Sequence, residues 1–566
     1  MRNFLRILLF SLLLIPTKVL ASENNQFSIN YDLEYDVLES GETQVTQRTT
    51  ITNLKNDYVP TNYSFTAKHM AIYDVEAVTN GESSEAIIET REDETLISVI
   101  INNYAIGEGR QNYISFTYKT TDIAKKTGKI WNIYIPRIQI PETTTLYNVK
   151  LLIPEDFGPK IYLSPTPVIE RAEEKKNAYY LTKETFVENG ITAAFGEYQS
   201  LNFKLKYQLE NTSILPLIRE ISLPPDIEEV QQVNYLQIEP KPKRLKTDED
   251  GNTIAWYILG PKKKLEISVT GIAKISGKQI NPDFGRETQS IPSDLIRKYT
   301  GEEKFWQVNS PNIQKAASEL KDTNLNTIKN AQKVYNYVIQ NLTYDFKALE
   351  EGPVERHGAE VALTQKGQWT CMEFTDLFVT LTRAMGIPAR EVNGYAFTNN
   401  ELDKPLSINL QGGDVLHSWA EFYDPFYGWI QVDPTWGSTS GIDYFTKLDT
   451  NHFTFVIKGI DSEYPYPAGA YRFSDDEKLV DVELSQQNSE GSFKPSLEIK
   501  KKLNLNIVEL IKGNEKYKIT NNSGVFVYNL EGKTLPPGAS TTLYLSKNLR
   551  NIAFEDINHN KYSVDL

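Results

Sequence analysis

The sequence predicts an α+β core domain flanked by all-β, sandwich-type domains. Three observations carry this. Short alternating apolar and polar runs, broken by turn residues, fill residues 22–290 and 496–566. Between them lie segments whose apolar residues recur at helical spacing. The last of those segments opens on Cys371 and is followed by three strand-like runs.

The chain has 566 residues, which at about 100–200 residues per domain implies several domains. Hydrophobic residues make up 40% and aromatics 11%, so there is ample apolar surface to build cores. The formal net charge is -14. Such a chain repels phosphate backbones, and nucleic acid is not an expected partner.

Residues 1–21 read as a secretory signal peptide. Arg2 and Arg6 supply positive charge, Ile7 to Ile15 a short apolar run, and Val19-Leu20-Ala21 a cleavage site. The alternative is an uncleaved anchor, against which the run is shorter than the ~20 residues of a span. The expected location is secreted or extracytoplasmic, with no stable membrane span after cleavage.

Residues 22–210 are expected to form one or two N-terminal β-sandwich domains. Gln44 to Thr52, Tyr113 to Tyr118 and Tyr147 to Ile153 alternate as strands, with turns at Glu39-Ser40-Gly41 and Asn80-Gly81-Glu82. Residues 211–290 continue as a second β-rich domain, with Asp250-Gly251-Asn252 as a hairpin turn before Thr253 to Leu259. Its basic clusters, Lys241 to Lys246 and Lys262 to Lys264, read as solvated charge flanking a sheet.

Residues 291–484 carry the α+β core. Ser310-Pro311 is an N-cap followed by proline at the first helical position. Asn326 caps a second helix, with Ile328, Ala331, Tyr335, Val338 and Leu342 on one face. A third begins near Cys371, has Phe374, Leu377, Phe378, Leu381 and Ala384 in one stripe, and closes at Gly386 and Pro388. Strands follow at Arg390 to Tyr395, His417 to Tyr423 and Trp429 to Asp433, the last two joined by Asp424-Pro425-Phe426-Tyr427-Gly428 as a hairpin. Residues 485–495 are a polar linker, and 496–566 a small C-terminal β domain.

Cys371 is the only cysteine, so it makes no intramolecular disulfide. Taken singly, a free cysteine is more often inert core than nucleophile. Its surroundings change that reading. A nucleophilic thiol must ionise near neutral pH, which a helix N-terminus favours. It also needs a base beside it and an acceptor that orients the base. Of the five histidines, His69 and His559 fall in the terminal β regions, while His417 opens a strand after the loop Gln411-Gly412-Gly413-Asp414. Asp433 ends the neighbouring strand, within reach of an imidazole across a hairpin. The order Cys, His, Asp, with nucleophile on a helix and partners on adjacent strands, is papain-like.

These residues also resemble the transglutaminase-like superfamily. The resemblance rests on Cys371-Met372-Glu373-Phe374, then Arg383-Ala384-Met385-Gly386-Ile387-Pro388-Ala389-Arg390, Gly394-Tyr395, His417-Ser418-Trp419-Ala420-Glu421, and Gly428-Trp429-Ile430-Gln431-Val432-Asp433-Pro434-Thr435. Asn341 to Asp345 looks like the family's tyrosine-bearing segment. The chain is thus expected to hold an α+β, papain-like transglutaminase core between β-sandwich-type domains. The resemblance implies Cys371 as nucleophile, His417 as general base and acid, and Asp433 as orienter. The sequence departs from the family at Glu373, where aspartate is common, and at Gln368-Trp369-Thr370, where glycine-rich forms are common. By analogy the oxyanion donor is the Cys371 backbone N–H, with Gln368 and Tyr344 as candidate side-chain donors. Trp419 and Trp436 are expected to wall the cleft, though bare aromatics are more often core.

The chemistry implied is acyl transfer from, or hydrolysis of, protein and peptide amides. The alternatives are a cysteine peptidase or deamidase of the same fold, or a non-catalytic extracellular binding protein that keeps the core as scaffold. Extracellular or cell-envelope proteins and peptides are the expected partners. No metal or other cofactor is implied, since no Asp-rich loop has calcium-binding spacing.

Overall fold

A computed structural model describes residues 26–566 apart from 69, 92–93, 137–142, 184–189, 284–289, 348–354, 399–403, 407, 411–413, 475–476 and 486–489. The signal-peptide reading of residues 1–21, the Gln411-Gly412-Gly413 loop and part of the 485–495 linker therefore lie outside the described residues.

The chain divides into two compact units. One holds the described residues of 26–36, 44–120 and 143–150. In it the strands Phe27–Val37, Thr43–Asn53, Gln111–Thr120, Tyr73–Thr79 and Glu82–Ser84 neighbour one another in that order, and Asn62–Lys68, Glu94–Ile100 and Ala86–Arg91 form a second sheet. The alternation along Thr43–Asn53 buries every second side chain. Phe65 of one sheet meets Phe116 of the other edge-on at 5.3 Å, so the apolar faces close on each other as a sandwich.

The other unit comprises residues 37–43, 121–137 and 151–566. Gln199–Glu210 pairs along its length with Lys264–Ile275. On its other side it pairs with Val480–Leu484. Residues on either side of position 210 thus share a sheet, to which the chain returns after the helical segment. Leu217–Leu223, Thr253–Leu259 and Arg244–Thr247 form a three-stranded sheet, and both sheets contribute to one apolar cluster around Leu205, Tyr207, Ile221 and Val269. The hairpin tip is built by Asp248, whose carboxylate accepts from the N–H groups of Asp250 and Asn252, with Gly251 at φ +94°. The Asn252 amide exchanges two hydrogen bonds with the Ile457 backbone. The turn thereby grips the strand His452–Lys458.

Among the described residues the α-helices are α1 (Ser293–Tyr299), α2 (Pro311–Leu320), α3 (Thr327–Asn341), α4 (Ala359–Thr364), α5 (Cys371–Ala384), α6 (Pro434–Ser440) and α7 (Ile507–Ile511). Ser310 and Asn326 cap α2 and α3 with their side chains. Helix α5 is buried on every face. It packs on the strands Asp414–Asp424 and Ala389–Ala396, with α2, α3 and α4 around it. Those strands belong to a sheet ordered Ile408–Leu410, Asp414–Asp424, Ala389–Ala396, His452–Lys458, with Gly428–Val432 pairing Asp414–Asp424. Arg383 locks helix to sheet. Its guanidinium is buried and donates to the carbonyls of Ala389 at 2.9 Å and Gly459 at 2.7 Å. The C-terminal strands from Leu497 onward close around their own core of Ile519, Val527 and Leu530.

Candidate active site

Cys371 is the first residue of α5. Glu373 reaches back to the Thr370 N–H at 3.1 Å and the Thr370 hydroxyl at 2.9 Å, and its other oxygen accepts from the His357 N–H. Glutamate at this position thus serves as the third-residue half of a capping box. The helix start is fixed, and the Cys371 N–H, in the first turn, has no intrahelical acceptor. The sulfur is fully buried.

His417 lies on Asp414–Asp424, opposite Gly394 of the neighbouring strand. Gly394 has no room for a Cβ, which would meet the Phe453 carbonyl and the Trp419 ring. Asp433 directly follows the strand Gly428–Val432 and is the N-cap of α6. Its Oδ1 accepts from the N–H groups of Thr435 and Trp436 at 2.9 and 3.0 Å. That leaves Oδ2 to face the imidazole, and His417 Nε2 lies 2.9 Å from it. The Asp-Pro-Thr run therefore aims a carboxylate: proline starts the helix, and the cap fixes the rotamer.

His417 Nε2 being engaged, Nδ1 is the ring nitrogen that meets no carboxylate. Nδ1 is buried and meets no hydrogen-bond geometry with a protein group. Burial pushes the imidazole down, but Asp433 beside it and then the Cys371 side chain raise it to about 9. Burial likewise pushes the Asp433 carboxyl up, but His417 and His452 hold it at about 2.

The sequence reading passed over two residues here, His452 and Asp449. His452 Nε2 approaches the same Asp433 Oδ2 at 3.3 Å, and its Nδ1 lies 2.8 Å from Asp449 Oδ1. The Tyr444 hydroxyl donates to Asp449 Oδ2 at 3.0 Å. Burial lowers His452, but Asp449 and Asp433 together raise it to about 9. The available signal was Asp449-x-x-His452 at the head of the strand-like run Phe453-Thr454-Phe455-Val456-Ile457.

Trp419 and Trp436 are fully buried and lie nearly parallel to the His417 ring, at 6.1 and 5.1 Å. Trp419 Nε1 donates to Gln431, and Trp436 Nε1 to the Pro405 carbonyl. Gln368 is exposed and pairs with Thr343, one residue from the pairing of Tyr344 with Trp369. Tyr344 is buried, its ring 6.4 Å from Phe374 of α5. His357 packs against Trp369, and His559 pairs with Glu555 of its own C-terminal region and with Glu228 outside it.

His417, Asp433 and His452 offer three ligand-type atoms within 4.8 Å of one another. Those same atoms make the hydrogen bonds just described, so a cation there would replace the pairing of imidazole and carboxylate.

A thiol at a helix tip with a buried imidazole–carboxylate pair on an antiparallel sheet defines a papain-like core. Residues 314–434 match the family model of the transglutaminase-like superfamily, and over that segment the chain carries a transglutaminase-like core domain. The chain is 29% identical over 161 residues to the uncharacterized protein YebA of Bacillus subtilis, 27% of this chain and 21% of that one. It therefore spans about a fifth of that relative's length. It is 36% identical over 66 residues to a protein-glutamine gamma-glutamyltransferase of Pseudomonas aeruginosa, 12% of this chain and 10% of the relative. The periplasmic domain of TgpA from Pseudomonas aeruginosa aligns in structure at 16% identity over 43% of this chain and 91% of that one, with a TM-score of 0.22.

Proposed function

We propose that the transglutaminase-like domain catalyses thiol-dependent acyl transfer from, or hydrolysis of, protein and peptide amides, with Cys371 as nucleophile, His417 as base and acid, and Asp433 as orienter. One observation carries this reading: Asp433 Oδ2 lies 2.9 Å from His417 Nε2, which leaves Nδ1 as the ring nitrogen available to a thiol at the tip of α5. In the first step the Cys371 sulfur, as thiolate, attacks the amide carbon. The His417 Nδ1 proton passes to the departing nitrogen, leaving a thioester. In the second step His417 takes a proton from an amine or from water, which attacks the thioester and releases the thiol. An amine gives an isopeptide crosslink; water gives deamidation or peptide cleavage. The Cys371 backbone N–H is the proposed oxyanion donor. Gln368 and Tyr344 flank it on the strands before α5, and Trp419 backs the imidazole. The signal-like N-terminus supports action on extracellular or cell-envelope proteins.

The test is incubation with a glutamine-bearing peptide and a labelled primary amine. Label incorporation lost in Cys371→Ala is the expected result for transfer, and peptide fragments or released ammonia without label the result for hydrolysis. A second reading has its own support. The Cys371 sulfur, the His417 ring and the Asp433 carboxyl are all fully buried, as in a domain kept as a scaffold for binding. Turnover of no amide by the wild type, with Cys371→Ala folding and behaving identically, would select that reading.

A further inference from the structure

The C-terminal domain carries an apolar surface that its own core does not use. Between the strands Leu497–Lys502 and Asn514–Asn521 lie a short loop and α7. Leu503, Leu505, Ile507, Val508, Leu510 and Ile511 there are between 52% and 82% exposed. The polar side chains of the same segment serve to hold it in place. Asn504 donates to the Asn514 carbonyl at 2.8 Å, Asn514 donates to Glu509 at 2.7 Å, and Asn506 caps α7. Gly513, at φ +73°, ends the helix by donating to the Leu510 carbonyl. The segment is inside-out: a polar network orders it and the aliphatic side chains are presented to solvent. Six neighbouring aliphatic side chains in one exposed stretch mark an interaction surface.

Its rim identifies the partner. Residues 498–518 hold six lysines against three glutamates, in a chain whose net charge is -14. Lys500, Lys501 and Lys502 run directly into Leu503 and Lys512 follows Ile511; Lys500, Lys501 and Lys512 pair with Glu498, Glu515 and Glu509, so the segment's positive charge is the excess of lysine over glutamate. Protein interfaces are depleted in lysine and built on aromatic and arginine anchors. This face has aliphatic tips and a lysine rim, the chemistry of a contact that seats side chains at the acyl boundary and ammonium groups on anionic headgroups. No described helix is long and apolar enough to cross a membrane. We propose that the face formed by Leu503 to Ile511 docks the protein peripherally on an anionic lipid bilayer. The proposal is independent of the chemistry proposed for Cys371.

The experiment is co-sedimentation of the full chain with phosphatidylglycerol-containing vesicles and with neutral phosphatidylcholine vesicles. Binding is expected to the anionic vesicles, weakening as salt rises. The pair Ile507→Asp and Ile511→Asp should lower the partition coefficient about a hundredfold. The pair Lys502→Glu and Lys512→Glu should lower it at least about tenfold on anionic vesicles only. All four positions are exposed, so unchanged circular dichroism is expected for both variants. Failure to sediment with either vesicle, or binding that both pairs leave unchanged, overturns the proposal. A concentration-dependent dimer abolished by the Ile507 and Ile511 substitutions also overturns it, assigning the face to a second copy of the chain.

Discussion

His452 Nε2 lies 3.3 Å from Asp433 Oδ2, the same oxygen that His417 engages at 2.9 Å. His452 Nδ1 faces Asp449 at 2.8 Å. Both ring nitrogens meet carboxylates, which only accept, so His452 holds two protons and is a buried cation. Asp433 therefore has a second imidazole partner beside His417. Replacing His452 with Gln removes that cation and leaves Asp449 and Asp433 short of a donor. A loss of about 3–5 kcal/mol is expected, as for other broken buried ion pairs. Asp449→Asn, which keeps an acceptor for His452, should cost less. Denaturant unfolding of both variants measures the difference.

The pH dependence of stability follows from the same cluster. His417 and His452 sit at about 9 in the folded chain, against about 6.5 when unfolded. Groups raised on folding stabilise the folded state fully below the unfolded value, and that contribution fades as pH climbs through the folded one. Asp433, held at about 2, works in the opposite sense, its contribution being present above about 4 and lost as pH falls toward 2. Thermal unfolding should show maximal stability between about pH 4 and 6.5 from these groups. The decline from pH 6.5 to 9 should reach at most about 3 kcal/mol for each histidine. A wild-type curve flat to pH 9 would count against two protonated rings.

Asp433 does two jobs with its two oxygens, and substitutions can separate them. Asparagine keeps an acceptor for the Thr435 and Trp436 N–H groups but turns a donor toward His417 and His452. Alanine loses both. Asp433→Ala should forfeit the cap, about 1 kcal/mol, in addition to the ion pair, and so be the less stable variant. Any amide turnover should fall by at least about a hundredfold in both, because the ring loses its orienter. Parallel unfolding and activity assays distinguish the two effects.

The elements that place this site were legible because their signals are local. Proline after Ser310, the stripe from Phe374 to Ala384 and the turn at Asp424 to Gly428 each announce themselves within a few residues. The approach of His417 to Asp433 could be anticipated because a hairpin fixes cross-strand distance. Its rotamer could not, because it depends on Asp433 serving as the cap of α6, a helix that Pro434-Thr435-Trp436-Gly437 does not advertise by periodicity. His452 was missed for a different reason. It reaches Asp433 only because His452–Lys458 pairs with Ala389–Ala396, a long-range register that no local pattern encodes. Burial of Cys371 is of the same kind, since it depends on what packs over the tip of α5. Helix α7 hides inside a region of strands because its exposed face carries the residue types of a core.

Arg356 ties the first helical turns of α5 to the sheet. Its guanidinium donates to Asp376 and, at 2.8 Å, to Glu391, and Trp306 Nε1 donates to Asp376 at 3.0 Å. Asp376 and Glu391 are fully buried, and Lys458, 3.7 Å from Glu391, is the second cation beside them. Arg356→Met leaves Asp376 without its cation and Glu391 with Lys458 alone, and should cost about 3–5 kcal/mol. Adding Asp376→Asn should restore part of that loss, a coupling that a double-mutant cycle measures directly.

The enclosure of Cys371 makes reagent access the sharpest check on the chemistry. In the closed arrangement an alkylating reagent must wait for neighbouring side chains to move, so modification is governed by opening rather than by thiolate reactivity. Iodoacetamide should therefore label the folded protein at least about a hundredfold more slowly than the denatured chain. If His417 assists the sulfur once the site is open, His417→Gln should slow labelling further while leaving global stability less affected than His452→Gln, because His417 Nδ1 has no partner to lose and only one ring nitrogen meets a carboxylate. Equal labelling of wild type and His417→Gln would mean that the ring and the sulfur do not cooperate. The imidazole–carboxylate cluster would then be a structural feature of the core, and Cys371 an inert residue.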